Sequence, residues 1–136
     1  MTDKETNEIL EELQGINKLY DYVISDILED TTNNGYDGEN LQEKLMARLG
    51  DISHGCQSGT VGSLIYYSDT CAFFKKYKKE ISVLIKDYQD QTGSNISDLE
   101  WFDKEDIFCE EQNNQNYLAW FAYETIAWEL QSRLEE

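Results

Sequence analysis

Residues 9–27 read ILEELQGINKLYDYVISDI, and their apolar positions decide the fold. Ile9, Leu13, Ile16, Tyr20, Val23 and Ile27 recur at alternating steps of four and three, which lays them along one stripe of an α-helix. The spacing predicts a helix from about residue 4 to 29, with Gly15 weakening it slightly.

The same reasoning extends in both directions. Residues 31–38, TTNNGYDG, carry Asn-Gly and Asp-Gly pairs that favour positive φ and so read as a loop. Leu41, Leu45, Leu49 and Ile52 then line one face of a second helix, expected to end between His54 and Gly62. Val61, Leu64 and Ile65 start a further helical pattern that Cys71, Phe74, Ile81, Leu84, Ile85 and Tyr88 continue to about Gln91, with a break expected at Ser68 to Thr70. Gly93 punctuates its end, and Ser97 with Glu100 forms a capping box for a short helix through Trp101 and Phe102. A last helix, from about Asn114 to Leu134, places Tyr117, Phe121, Thr125 and Trp128 on one stripe, widened by Leu118, Ala122, Leu130 and Leu134. With no proline and no convincing strand, the expectation is an all-α bundle of four to six helices forming a single domain over residues 1–136.

Length and composition agree. A chain of 136 residues is a common domain size, and 40% apolar with 12% aromatic residues supplies a core that a disordered acidic tail would lack. Charge is the departure: 28 Asp and Glu against 11 Lys and Arg give a net of -17. Duplex DNA carries one charge per roughly 1.7 Å of axis, so 17 charges match about 29 Å of duplex, comparable to the width of a globule whose radius of gyration is about 14 Å. Such a surface repels duplex DNA and anionic membranes and points to basic partners. MTDKETNEIL at the N-terminus has neither a basic segment nor an apolar run, and no stretch is apolar enough to span a bilayer, so a cytoplasmic location is expected.

The charge is unevenly spread. Residues 1–30 carry a net of -7, residues 31–74 -3, residues 75–86 +4 and residues 87–136 -11. The densest acidic run is DLEWFDKEDIFCEE, residues 98–111, with seven acids and one lysine. If it is helical, its carboxylates at i, i+3 and i+4 lie about 5 to 6 Å apart at Cβ, and such like-charge pairs cost a helix a few tenths of a kcal/mol each. Asp98, Glu100, Asp103, Glu105, Asp106, Glu110 and Glu111 are therefore the candidate partner-binding residues. The basic island FFKKYKKE, residues 73–80, has the lysines and interleaved aromatic of a nucleic-acid patch, but its acidic surroundings favour a solvated face.

Other chemistry is weakly signalled. Cys56, Cys71 and Cys109 are odd in number and widely spaced, as for reduced packing thiols, and with His54 they lack the paired spacing of a zinc motif. Gly55, Gly59 and Gly62 precede a helix, but Ser63 follows Gly62 where a phosphate loop needs lysine. The lone histidine, His54, has no orienting group in view for nucleophilic catalysis. No catalytic residue, metal or cofactor is expected.

The acidic runs Asp3 to Glu12, Asp87 to Asp90 and Asp98 to Glu111, on a short proline-free helical chain, resemble the small anti-defence proteins of phages and plasmids, the anti-CRISPR and anti-restriction inhibitors. DISHGCQSGTVGSLIYYSDT, residues 51–70, also resembles proteins of Gram-positive mobile elements. The resemblance implies a non-enzymatic inhibitor that acts as a DNA mimic in the basic cleft of a nuclease or its guide complex, most readily an RNA-guided nuclease. The same charge would serve an immunity protein or antitoxin against a basic toxin. A small enzyme using the His54 region is a third possibility.

Overall fold

Two interruptions at Gly15 and Asn17 shape the N-terminal half of the molecule. In the computed structural model, which describes residues 1–57, 73–93 and 110–136, the expected first helix is two: α1 (Asp3–Gln14) and α2 (Lys18–Asn33). Glycine is a poor helix interior residue and Asn a strong N-cap. Accordingly, Gly15 closes α1, and the Asn17 side chain accepts a hydrogen bond from the Tyr20 amide at 3.0 Å to open α2. The stripe survives in part: Leu13, Tyr20, Val23 and Ile27 are buried and Ile9 is half-buried, while Ile16, caught in the connection, is 50% exposed. α1 begins with a capping box in which Thr2 and Glu5 satisfy each other's backbone amides.

The Asn-Gly pair ends α2 as expected, with Gly35 at φ 64. Gly38 is required for a different reason, since a Cβ there would sit 2.9 Å from the Glu43 Cβ and the Lys44 amide nitrogen. α3 (Leu41–Gln57) buries Leu45, Leu49 and Ile52 as its spacing requires, and continues through His54 and Cys56, which therefore belong to its last turns.

The chain divides into two compact units, residues 1–64 with 123–136 and residues 65–122. In the first, α1, α2 and α3 pack on one another. The C-terminal half of α5 (Glu110–Glu135) is bound to them by Tyr20 Oη donating to Glu129 at 2.5 Å, Gln42 Nε2 to the Leu134 carbonyl at 2.6 Å and Arg133 to Glu12 at 2.6 Å. The buried side chains of this half are Tyr123, Ile126, Ala127, Leu130 and Leu134, whereas Trp128 is 54% exposed. Of the stripe expected on this helix, Phe121, Ala122, Leu130 and Leu134 are buried and Thr125 is half-buried, while Trp128 stands exposed; Tyr123, Ile126 and Ala127 complete the buried face.

In the second unit, residues 73–76 form a helical turn and α4 (Lys78–Thr92) follows, capped by Gly93 at φ 71. Ile81 is fully buried, and Tyr88 meets Phe121 edge-on at 5.1 Å between ring centroids. Every regular element among the described residues is helical, so the fold is all-α. The expected breaks and caps at Ser68 to Thr70 and Ser97 to Glu100 lie outside the described residues.

Leu45 is wholly buried and Trp128 half exposed. Leu45→Ala is expected to lower unfolding free energy by about 2–5 kcal/mol in urea titration, and Trp128→Ala by less than about 0.5 kcal/mol.

Candidate functional site

The charged side chains of the first unit fall into two populations. One is built into the fold. At its centre, Arg48 of α3 donates through Nη2 to Asp30 of α2 at 2.9 Å and through Nη1 to Tyr36 Oη at 3.1 Å, and Tyr36 in turn donates to Asp51 at 2.8 Å. Beside it, Tyr123 of α5 donates its hydroxyl to Asp26 of α2 at 2.7 Å. Burial works against the Arg48 charge, but Tyr36, Asp30 and Tyr123 outweigh it and hold the guanidinium protonated. Burial pushes the Asp26 carboxyl above the usual carboxylate range; the Tyr123 hydroxyl opposes that rise, and neighbouring Asp30 adds to it. Burial likewise drives the Tyr123 phenol up, with the Asp26 carboxylate adding to the rise, so that it stays protonated and can donate to Asp26. This cluster joins three helices and a loop and reads as structural.

Other acids also serve the backbone. Asp3 accepts from the Leu41 amide at 3.0 Å and Glu43 from the Glu39 amide at 2.7 Å. The Thr2 amide and hydroxyl hold the Glu5 carboxyl below its ordinary range, and the Arg133 guanidinium does the same for Glu12.

The second population faces solvent. On α1 the two populations overlap: Asp3, Glu5, Glu8, Glu11 and Glu12 are all exposed, the first two and the last while also bonded within the fold, with Lys4 the one cation of the helix. The carboxylates of Glu8 and Glu11 have no ion pair or hydrogen bond among the described residues. From Asp3 to Glu12 the axis rises about 14 Å, giving roughly one carboxylate per 2.7 Å. That density lies between one DNA strand, one charge per 3.4 Å, and the duplex, one per roughly 1.7 Å. α1 is therefore a ladder of negative charge in which the Glu8 and Glu11 carboxylates stand beside Asp3, Glu5 and Glu12, which hold partners.

Of the residues singled out in the acidic run, Asp98, Glu100, Asp103, Glu105 and Asp106 lie outside the described residues, while Glu110 and Glu111 open α5. His54 and Cys56 stand in a helix instead of a glycine loop, which removes the phosphate-loop geometry at Gly55. Cys71 and Cys109 lie outside the described residues. No group of three or more His, Cys, Asp or Glu side chains is placed to hold a metal ion among the described residues. There too, no helix is long and apolar enough to cross a membrane.

Fold and surface together define a small, strongly acidic all-α protein. The chain belongs to the family described as a domain of unknown function, DUF7222, whose model matches residues 6–136. Neither a curated protein nor a solved structure matches it.

Because folded Asp26 keeps its proton to higher pH than the unfolded chain, its contribution to stability falls as pH rises from about 3.9, the unfolded value, through the raised folded value. Asp26→Asn can still accept from Tyr123 and carries no charge. Its stability relative to wild type should therefore increase between acid pH and neutrality in thermal melts, whereas Tyr123→Phe should cost about 1–3 kcal/mol at neutral pH.

Proposed function

We propose that this protein is a non-enzymatic inhibitor that binds a basic nucleic-acid-binding protein, with an RNA-guided nuclease of the host cytoplasm as the leading target class. It acts as an acidic mimic of DNA, filling a cleft whose arginines and lysines otherwise hold phosphates. The observation that carries this reading is the α1 ladder: five exposed carboxylates on one short helix, at a charge density within the range of nucleic acid. Glu8 and Glu11, whose carboxylates have no partner among the described residues, are its most available members. The run Asp98, Glu100, Asp103, Glu105, Asp106, Glu110 and Glu111 adds the highest acidic density of the chain and forms the main contact face in this reading.

A surface of this kind gains mainly in association rate and in discrimination between partners, because opposite fields steer the encounter. Binding should therefore slow steeply as ionic strength rises past about 0.15 M, where the Debye length is about 8 Å. The test uses the full chain as bait, purifies the partner it recovers, and measures that partner's DNA binding with and without the protein. The expected result is competitive loss of DNA binding by the wild type. The loss should disappear for the triple variant Glu100→Lys, Asp103→Lys, Asp106→Lys and weaken for Glu8→Lys, Glu11→Lys. A partner whose DNA binding persists at saturation, or an inhibition unmoved by both charge reversals, overturns the reading.

A further inference from the structure

The second unit carries a feature of opposite sign. Lys75, Lys76, Lys78, Lys79 and Lys86, with Ser82 and Val83, line one shallow groove of about 720 Å³. All seven residues are exposed. A solvated face that merely balances neighbouring acids would show lysines engaged with carboxylates, but among the described residues none of the five forms an ion pair. Lys76 alone has a partner there, its ammonium lying 5.4 Å from the centroid of the Tyr77 ring.

Helix geometry shapes the groove. Tyr77, at φ -110 and ψ 21, departs from helical geometry between the turn at residues 73–76 and α4, but its amide still donates to the Phe73 carbonyl at 3.0 Å and its carbonyl accepts from the Ile81 amide at 2.9 Å, so the two pieces stay joined. On α4, Lys79, Ser82 and Lys86, at steps of three and four, share one stripe with Lys78 beside it, and Lys75 and Lys76 line the same groove from the preceding turn. Residues 75–86 would span about 16 Å as helix, so five positive charges stand at an average of roughly one per 3.3 Å, four of them between Lys75 and Lys79. One strand of nucleic acid carries a phosphate per 3.4 Å of axis, and a duplex one per roughly 1.7 Å. The groove can neutralise one strand; a duplex would leave half its charge uncompensated against an acidic chain.

The aromatic expected to stack on bases is not available. Tyr77 is only 6% exposed and packs on Phe73, with ring centroids 5.2 Å apart. The groove therefore offers ammonium groups to phosphates and no stacking platform to bases, unlike surfaces that hold single strands through aromatic rings.

From this geometry we infer that the groove formed by Lys75, Lys76, Lys78, Lys79 and Lys86 binds the sugar-phosphate backbone of a short single-stranded nucleic acid, without preference for base sequence. The site is independent of the inhibitory reading above, and its failure or success leaves that reading to its own test.

The experiment is a fluorescence-anisotropy titration of the full chain against short fluorescein-labelled single-stranded RNA and DNA between about 0.05 and 0.2 M salt. Single strands give a slope of about -0.7 in log K against log salt per phosphate contacted, so five contacts predict about -3.5. Lys75→Gln, Lys79→Gln, Lys86→Gln should weaken binding at least about tenfold and flatten that slope by about 2. Lys75→Arg, Lys79→Arg, Lys86→Arg should retain both, and circular dichroism should show unchanged helicity in each variant. Equal affinity for strands of different sequence supports the inference. Absence of binding by the wild type at the lowest salt, binding unaffected by the glutamine variant, or equally strong displacement of the strand by a polyglutamate peptide overturns it.

Discussion

Repulsion among carboxylates is the constraint on which the rest of this structure depends. With 28 acids and 11 bases, most carboxylates have no cation to meet, and a compact state concentrates them. The molecule responds by giving many of its acids neutral donors instead. Hydroxyls of Tyr20, Tyr36 and Tyr123 bond Glu129, Asp51 and Asp26, and backbone amides of Leu41 and Glu39 bond Asp3 and Glu43. A tyrosine can bury its ring in the core while its hydroxyl serves a carboxylate at the rim, which gives a physical use to a chain with nine tyrosines.

Scarce cations are divided by type as well. The two arginines, Arg48 and Arg133, both pair with acids that close the first unit, Asp30 and Glu12. Their planar, multiply donating head groups suit fixed, partly buried geometry. The lysines gathered at residues 75–86 stand exposed along one groove. Arginine in this protein holds the fold, and lysine makes a surface.

Much of the helical register was legible because burial follows spacing. Leu13, Tyr20, Val23, Ile27, Leu45, Leu49 and Ile52 all lie where periodicity puts them. Periodicity ran past the break at residues 15–17 because the apolar spacing of the sequence continues across it; Gly15 as a helix end and Asn17 as an N-cap were the two signals of it. On the last helix the expected face holds Phe121, Ala122, Leu130 and Leu134 in the core, but it also included Trp128, which is exposed, and it omitted Tyr123, Ile126 and Ala127, which are buried. A face broad enough to carry apolar residues on both edges leaves its centre to packing. Charge density located α1 and the lysine island, but a count of acids cannot separate Glu8 and Glu11 from Asp3 and Glu12, whose partners are 38 and 121 residues away in sequence.

The same distinction between total and local charge bears on how opposite surfaces can coexist on one chain. At about 0.15 M salt a charge is felt over about 8 Å, so a ligand lying along the lysine groove would experience chiefly the ammonium groups beside it, together with Glu80 and Asp87 of the same helix. A strand longer than the groove gains no further cation and adds phosphates to an acidic environment. Such a groove therefore favours a short segment over a long one, an inversion of ordinary nucleic-acid binding, where each added phosphate contact strengthens the complex. In that proposal the local charge of residues 75–86, +4, and not the net charge of -17, decides which ligand the second unit meets.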